Sequence, residues 1–128
     1  VPVPGSDGNF GRLQAIDLQR QELAWQHREL IPPISAALAT AGGLVFAGYL
    51  DHSFRAFDQE TGEVLWKTEL DAIPSSFPIS YSVDGKQYIA VVAGQLNLHT
   101  GIWLGLMNQF TGFAPANPGA AALWVFAL

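Results

Sequence analysis

The segment AIDLQRQELAW (residues 15–25) returns as AFDQETGEVLW (residues 56–66), with Ala, Asp, Glu and Trp in the same order at a constant offset of 41 residues. One Ala-x-Asp with a Trp eight residues on would mean little. Two at a fixed offset mark a repeated structural unit, and a period in the low forties is the length of one β-propeller blade. The repeat extends beyond the motif. ISAALATAGGLVFAG (34–48) lies against ISYSVDGKQYIAVVAG (79–94), each reading strand, Gly-containing turn, strand, and each ending in Ala-Gly. FRAFD (54–58) is echoed by WVFAL (124–128), where Phe126 replaces Phe57 and Ala127 replaces the turn-making Asp58.

Helical periodicity is weak along the chain. LVFAGYL (44–50), SFRAFD (53–58), EVLWKTEL (63–70), PISYSV (78–83), KQYIAVVAG (86–94) and ALWVFAL (122–128) read as short strands. They are rich in β-branched and aromatic residues and bounded by turn signals. The turns are Ala41-Gly42-Gly43, Glu60-Thr61-Gly62 and Asp84-Gly85, the last a strong hairpin dipeptide. The fold class expected is therefore all-β, built of propeller blades.

The spacing changes in the last unit. Gly48 to Phe57 is nine residues, whereas Gly94 to Phe126 is 32, so about 23 extra residues fall in what reads as the third-to-fourth strand connection. A loop that long inside a compact unit is usually functional or unstructured. This one, spanning 95–121, does not resemble a solvated linker, because no Asp, Glu, Lys or Arg occurs from Gln87 to Leu128. Trp103, Leu104, Leu106, Met107, Phe110 and Phe113 would form a large apolar patch if exposed. Burial is expected, against the propeller face, a cofactor, a partner subunit or a membrane.

The repeated motif has a mechanical rationale. Ala15 and Ala56 stand where a larger side chain would meet a neighbouring ring. Asp17 and Asp58 begin tight turns, where a short carboxylate accepts backbone N–H bonds. Gly62 supplies a turn position of positive φ. Trp25 and Trp66 open the next strand and lie between adjacent sheets, each burying on the order of 200 Å². Such a motif docks blade to blade. Its first copy is degenerate, with Arg20-Gln21 in place of Thr61-Gly62.

Composition removes several functions. Charged residues make up 13% of the 128 positions, about half the usual share. A net charge of −5 with six scattered Lys and Arg argues against nucleic-acid binding. The absence of cysteine excludes disulfides, thiolate metal sites and cysteine nucleophiles. The uncharged run IPPISAALATAGGLVFAGYL is broken by Pro32, Pro33 and Gly42-Gly43, which favours a buried hairpin over a spanning helix. No signal peptide is visible, and the chain does not begin with Met. No Ser-His-Asp grouping, phosphate-cradling glycine loop or metal-spaced cluster occurs. Asp51-His52-Ser53 reads as a hairpin tip, with Asp51 closing the turn and His52 solvated, and His27 as part of a hydrophilic strand edge.

Ala56, Asp58, Thr61, Gly62 and Trp66 complete A-x-D-x-x-T-G-x-x-x-W, the tryptophan-docking motif of pyrroloquinoline-quinone (PQQ) dehydrogenases. TAGGLVFAGYLDHSFRAFDQETGEVLW, PISYSVDGKQYIAVVAG and the terminal ALWVFAL resemble, in order and wording, the C-terminal end of these quinoproteins. The similarity runs from about Gly11 to Gly94 and again over 122–128. It implies an eight-bladed β-propeller of which residues 1–128 are a partial domain, the last two to three blades, carrying the long loop at 95–121. It further implies a periplasmic oxidoreductase of the alcohol or glucose dehydrogenase type, either soluble or attached to the inner membrane. There PQQ and Ca²⁺ oxidise an alcohol, polyol or sugar hydroxyl, and electrons pass to a cytochrome or ubiquinone.

In such a family the catalytic Asp and the calcium ligands belong to earlier blades, so none is expected here and the chain alone is expected to be inactive. Its partner is the remainder of the propeller. The end of the Val-Val-Ala-Gly strand, matched by Gly94, leads into a loop that approaches the cofactor, and Ile34 stands about where the methanol type has a cofactor-contacting Trp. Gln95, Asn97 and His99 alternate with Leu96 and Leu98, so these three polar groups are the candidates to hydrogen-bond quinone or carboxylate oxygens. The alternative is that they satisfy backbone groups of the loop. At the level of the whole protein, the alternative to the enzyme is a non-catalytic propeller scaffold for protein–protein interaction in the cell envelope.

Overall fold

The computed structural model describes residues 4–94, 98–112 and 121–128. Nine strands form three antiparallel sheets. β1 (Gly11–Asp17) pairs with β2 (Glu22–Glu29). β3 (Leu38–Ala39), β4 (Leu44–Gly48), β5 (Ser53–Asp58) and β6 (Val64–Glu69) follow in sequence order as a four-stranded meander. β7 (Ile79–Val83), β8 (Lys86–Gly94) and β9 (Ala121–Ala127) make the third sheet. Helix α1 (Leu98–Thr111) joins β8 to β9.

The repeat has a register as well as a spacing. Ala15 pairs directly with Trp25, and Ala56 with Trp66. In both sheets the ladder slips immediately afterwards, between Ala15 and Ile16 and between Ala56 and Phe57. Facing cross-strand partners share one face of a sheet, so a methyl group opposite an indole leaves the ring room to lie over the strand. The bulge adds local twist at the rim. Both turns are held as the sequence predicts. Asp17 Oδ1 accepts from the amides of Gln19 and Arg20 at 2.9 and 3.0 Å, and Asp58 Oδ1 from those of Glu60 and Thr61 at 2.8 Å each. These bonds hold the exposed Asp58 carboxyl below its usual range. Asp84 and Gly85 both have positive φ (51° and 78°), the hairpin geometry expected of that dipeptide.

Adjacent sheets bury two different cores. Phe46, Phe54 and Ala56 of the second sheet pack with Ile89, Val91 and Ala93 of the third, with Trp124 and Phe126 against them. Ala47, Tyr49 and Phe57 face the first sheet through Leu13. The middle sheet is thus buried on both sides.

Three sequence expectations need correction. The 95–121 connection is not loop throughout, since α1 occupies residues 98–111. Its apolar residues do not alternate, and it is apolar on nearly every side, which is why no amphipathic stripe betrays it. It joins the second and third strands of its sheet, not the third and fourth. Finally, Gly48 and Gly94 are not equivalent. Pro33 bridges to Tyr49 and Pro74 to Ala93, so Gly48 matches Val92 and β8 runs two residues further before leaving the sheet.

Candidate functional site

The end of the sheets opposite the Asp58–Gly62 turn gathers most of the remaining features that the sequence marks as special. Here the 31–35 linker, the 49–52 hairpin tip, the 70–76 linker, the end of β8 and α1 meet. The linkers repeat at the same 41-residue offset as the docking motif, in Pro33/Pro74 and Ser35/Ser76. Ser35 Oγ accepts from the amide of Gly48 (2.7 Å), and Ser76 Oγ accepts from that of Val92 (2.8 Å). Ser75 Oγ donates to the Gly94 carbonyl (2.7 Å), and the Gly94 amide to that of Ile73 (2.8 Å). Each serine satisfies a main-chain group that the sheet ladder leaves over. Gly48 must be glycine, because a Cβ would lie 2.5 Å from Pro74 Cγ.

Leu50 is the plug of this end. The tip places it, fully buried, among Ile73, Leu104 and Met107, with Phe10, Ile31 and Ile34 around them. The buried face of α1 is therefore the roof over the hairpin tip. Ile102, Leu106 and Phe110 remain exposed, so the expected burial of the apolar insertion holds for only one side of the helix. Phe110 still meets the Phe10 ring at 5.5 Å between centroids.

Beneath the plug lies a charged cluster that spans two sheets. Arg55, 5% exposed, donates from Nη1 to Glu29 of β2 (2.6 Å), from Nη2 to Asp51 (2.9 Å) and from Nε to Ser53 (2.8 Å). Its guanidinium lies 3.8 Å from the Tyr49 ring centroid. Asp51 also accepts from the Ser53 hydroxyl (2.5 Å) and meets Lys67 at 3.4 Å. Burial pushes the Asp51 carboxyl up, but the Ser53 hydrogen bonds, Arg55 and Lys67 outweigh it and hold the group below its usual range. Burial first, then Glu29, drives the Tyr49 phenol well up, and its shielded hydroxyl faces Glu29 without closing a hydrogen bond. A charged pair removed from water is favourable only when its remaining hydrogen-bonding capacity is met; three acceptors engage Arg55, and the Tyr49 ring covers its face.

This cluster extends the sequence reading of Asp51 and corrects that of His27 and His52. Asp51 closes the turn as expected, through its bond from the Ser53 amide (3.1 Å), but it also anchors Arg55. His27 is no hydrophilic edge: its ring stands edge-on to Phe57 at 5.3 Å, and Nε2 lies 3.3 Å from Glu29. His52 is half-buried, with Nε2 shielded from solvent, rather than solvated. No sequence signal announced Arg55, since its partners lie 4 and 26 residues away.

The docking contact itself is direct. The Trp25 indole lies over Gly62 of the neighbouring sheet, so close that a Cβ there would sit 2.5 Å from Trp25 Cε3, and Nε1 donates to the Gln59 carbonyl (2.8 Å). Gly62 also has φ of +73°, which only glycine adopts without strain. Trp66 behaves differently: it stands edge-on to Phe126 at 5.2 Å and to Phe54 at 6.4 Å, 39% exposed.

Of the predicted cofactor contacts, Gln95 and Asn97 lie outside the described residues. His99 falls in the first turn of α1, its side chain likewise outside them, and Ile34 packs beside Leu50. Among the described residues no three His, Asp or Glu side chains converge to hold a metal ion. Around Leu50 the described residues form an apolar floor, and Ser35, Ser75 and Ser76 beside it bond the main chain. None of the described helices is long and apolar enough to cross a membrane.

Comparison with known proteins places these features together elsewhere. The PQQ family described as "Glucose/ethanol/alcohol dehydrogenase, beta-propeller domain" matches residues 2–89. The quinoprotein alcohol dehydrogenase PedE of Pseudomonas putida is 39% identical over 120 residues, covering 94% of this chain and 18% of the relative. The 1-butanol dehydrogenase (cytochrome c) of Thauera butanivorans is 34% identical over 86% of the chain and 15% of its own length. A solved europium-containing methanol dehydrogenase matches 97% of the chain and 24% of its own, with TM-score 0.77 and 31% identity. The chain spans less than a fifth of the length of these two curated relatives.

Proposed function

Since the chain belongs to the PQQ glucose/ethanol/alcohol dehydrogenase β-propeller family, we propose that it is the blade-forming end of a larger quinoprotein that oxidises an alcohol hydroxyl. The observation that carries this reading is the Trp25–Gly62 contact, which docks two repeats radially in a chain alike over 94% of its length to a quinoprotein alcohol dehydrogenase. Ethanol, 1-butanol and methanol dehydrogenases among the relatives are named for alcohols, which favours an alcohol over a polyol or sugar.

PQQ, when bound, supplies the two-electron oxidation, and the protein supplies position and electrostatics. This chain's own part is mechanical. The seams fix the angle between sheets, and Leu50 seats α1 at the end proposed to face the quinone. Gln95, Asn97 and His99 are the polar groups offered to it. The metal beside the quinone is Ca²⁺ or a lanthanide, the europium-containing neighbour favouring neither over the other, and its ligands come from outside this chain. A cytochrome c takes the electrons, as the name of the butanol dehydrogenase relative states for that enzyme, and the periplasm is the compartment of such a reaction.

The test is ultraviolet-visible titration of the full-length protein with PQQ and Ca²⁺ or a lanthanide, together with dye-linked oxidation of short primary alcohols. A quinone spectrum with alcohol-dependent dye reduction supports the proposal. Neither signal would leave the envelope scaffold.

A further inference from the structure

Among the described residues no sheet packs on the face of β1 and β2 that points away from the second sheet, and its chemistry is specific. Arg12 and Arg28 are direct cross-strand partners, so both guanidinium groups leave the same face side by side. Like charges placed so oppose the fold unless an anion separates them. Arg28 Nη1 donates to the Gly5 carbonyl (2.9 Å), but neither arginine has a carboxylate partner among the described residues. Arg20, Arg55 and Lys67 all have one, in a chain of net charge −5. A cavity of about 530 Å³ opens beside the pair, walled by Phe10, Pro32 and Ile34, with no acidic residue in its lining. Further along the same face the cross-strand pair Ile16 and Leu23 is more than half exposed.

The repeat identifies what fits there. At the 41-residue offset, Arg12, Gln14 and Ile16 correspond to Ser53, Arg55 and Phe57. Those three residues of β5 are buried against the first sheet: Phe57 packs with Leu13, and Arg55 takes the carboxylate of Glu29 at the end of the outer strand. The β1–β2 face is thus the same surface of the preceding repeat, with apolar Ile16 and Leu23 toward one end and, one cross-strand pair beyond the neutral Gln14 that replaces Arg55, the cations Arg12 and Arg28 at the other.

A further blade of the same protein is the partner already expected on this face, and we propose which group it presents there. That blade's outer strand ends, at the Arg12/Arg28 cleft, in a carboxylate playing the part that Glu29 plays for Arg55. The inference rests on the parent protein having more blades than this chain supplies, and it adds an acidic residue to the seam that such a blade must present.

In the full-length protein, Arg12→Glu with Arg28→Glu should lower the thermal midpoint, and reversing the facing carboxylate to Lys should restore most of the loss. If the double variant does not fold, Arg12→Gln is the second probe: its midpoint should fall less in 0.5 M NaCl than in 20 mM NaCl, because the wild-type pair is then screened. Unchanged midpoints for all these variants would overturn the proposal. So would a wild-type midpoint raised by sodium citrate and unmoved in Arg12→Gln, which would make the cleft a small-anion site, or a concentration-dependent mass lost in the same variant, which would make it a self-association face. Alcohol oxidation is read on the same samples: an intact seam with no oxidation sinks the enzymatic reading alone.

Discussion

The two seams of this molecule join the same repeat by different chemistry. Between the first and second sheets the contact is polar and directional: Trp25 lies on Gly62 and reaches Gln59, and Arg55 is shared between Glu29 and Asp51. Between the second and third it is aromatic and apolar. Phe54 is stacked with Phe46 at 5.9 Å and Phe126 at 5.7 Å, Trp124 lies parallel to Phe126 at 6.3 Å, and Trp66 closes the group edge-on. The polar seam specifies one angle and register, since a guanidinium fork and an indole N–H tolerate little displacement. The apolar seam supplies burial with looser geometry. A docking tryptophan therefore needs a glycine turn on its neighbour, and Trp66, which meets Phe126 instead, stands on edge.

The comparison predicts an order of effects on stability, read by chemical denaturation of the full-length protein. Phe54→Ala should cost most, about 3–5 kcal/mol, because it empties the centre of the aromatic stack. A loss under 1 kcal/mol would show that the apolar seam is not the principal source of cohesion. Arg55→Met should follow at about 2–3 kcal/mol, since it strands Glu29 and Asp51 in partly buried sites, less than a fully buried pair would lose. Adding Glu29→Gln should recover part of that loss, and failure to do so would remove the inter-sheet pair from the account.

Gly62→Ala should cost about 2 kcal/mol from its positive φ and the displaced indole together. The equivalent change at Gly85, also at positive φ (78°) but open around its Cβ position, should cost only the strain. Equal losses at the two would break the docking argument. Trp25→Phe should cost about 1 kcal/mol with the bond to Gln59 gone.

The smallest effect is one of pH. The folded Asp51 carboxyl titrates below its ordinary value, so its contribution is complete above that ordinary carboxylate value and is lost as pH falls through the lowered folded one. Stability should step down in that acidic window, and the step should shrink in Arg55→Met. An identical profile in both proteins would assign the acid loss to other groups.

Much of the polar seam was legible beforehand. Trp25, Asp17, Asp58 and Gly62 announce themselves because a turn or a ring contact demands one residue type at one spacing, and spacing survives in a linear string. The Pro33/Pro74 and Ser35/Ser76 repeats were equally readable at the same offset. Arg55 and Glu29 were not, because an ion pair across 26 residues leaves no periodic trace. Helix α1 was hidden for the opposite reason: an apolar run without charge has no stripe to reveal its period, and only the packing around Leu50 decides which side it buries.

The sequence by itself thus determined the strands, the turns, the 41-residue repeat and the family, all of which depend on local conformational preference and on glycine or proline at fixed positions. The tertiary structure alone decided how the repeats meet: which tryptophan finds a glycine, which arginine is buried, and which side of an uncharged helix is covered. Those are distances between segments far apart in the chain, and they arise only when sheets are stacked and water is excluded from between them.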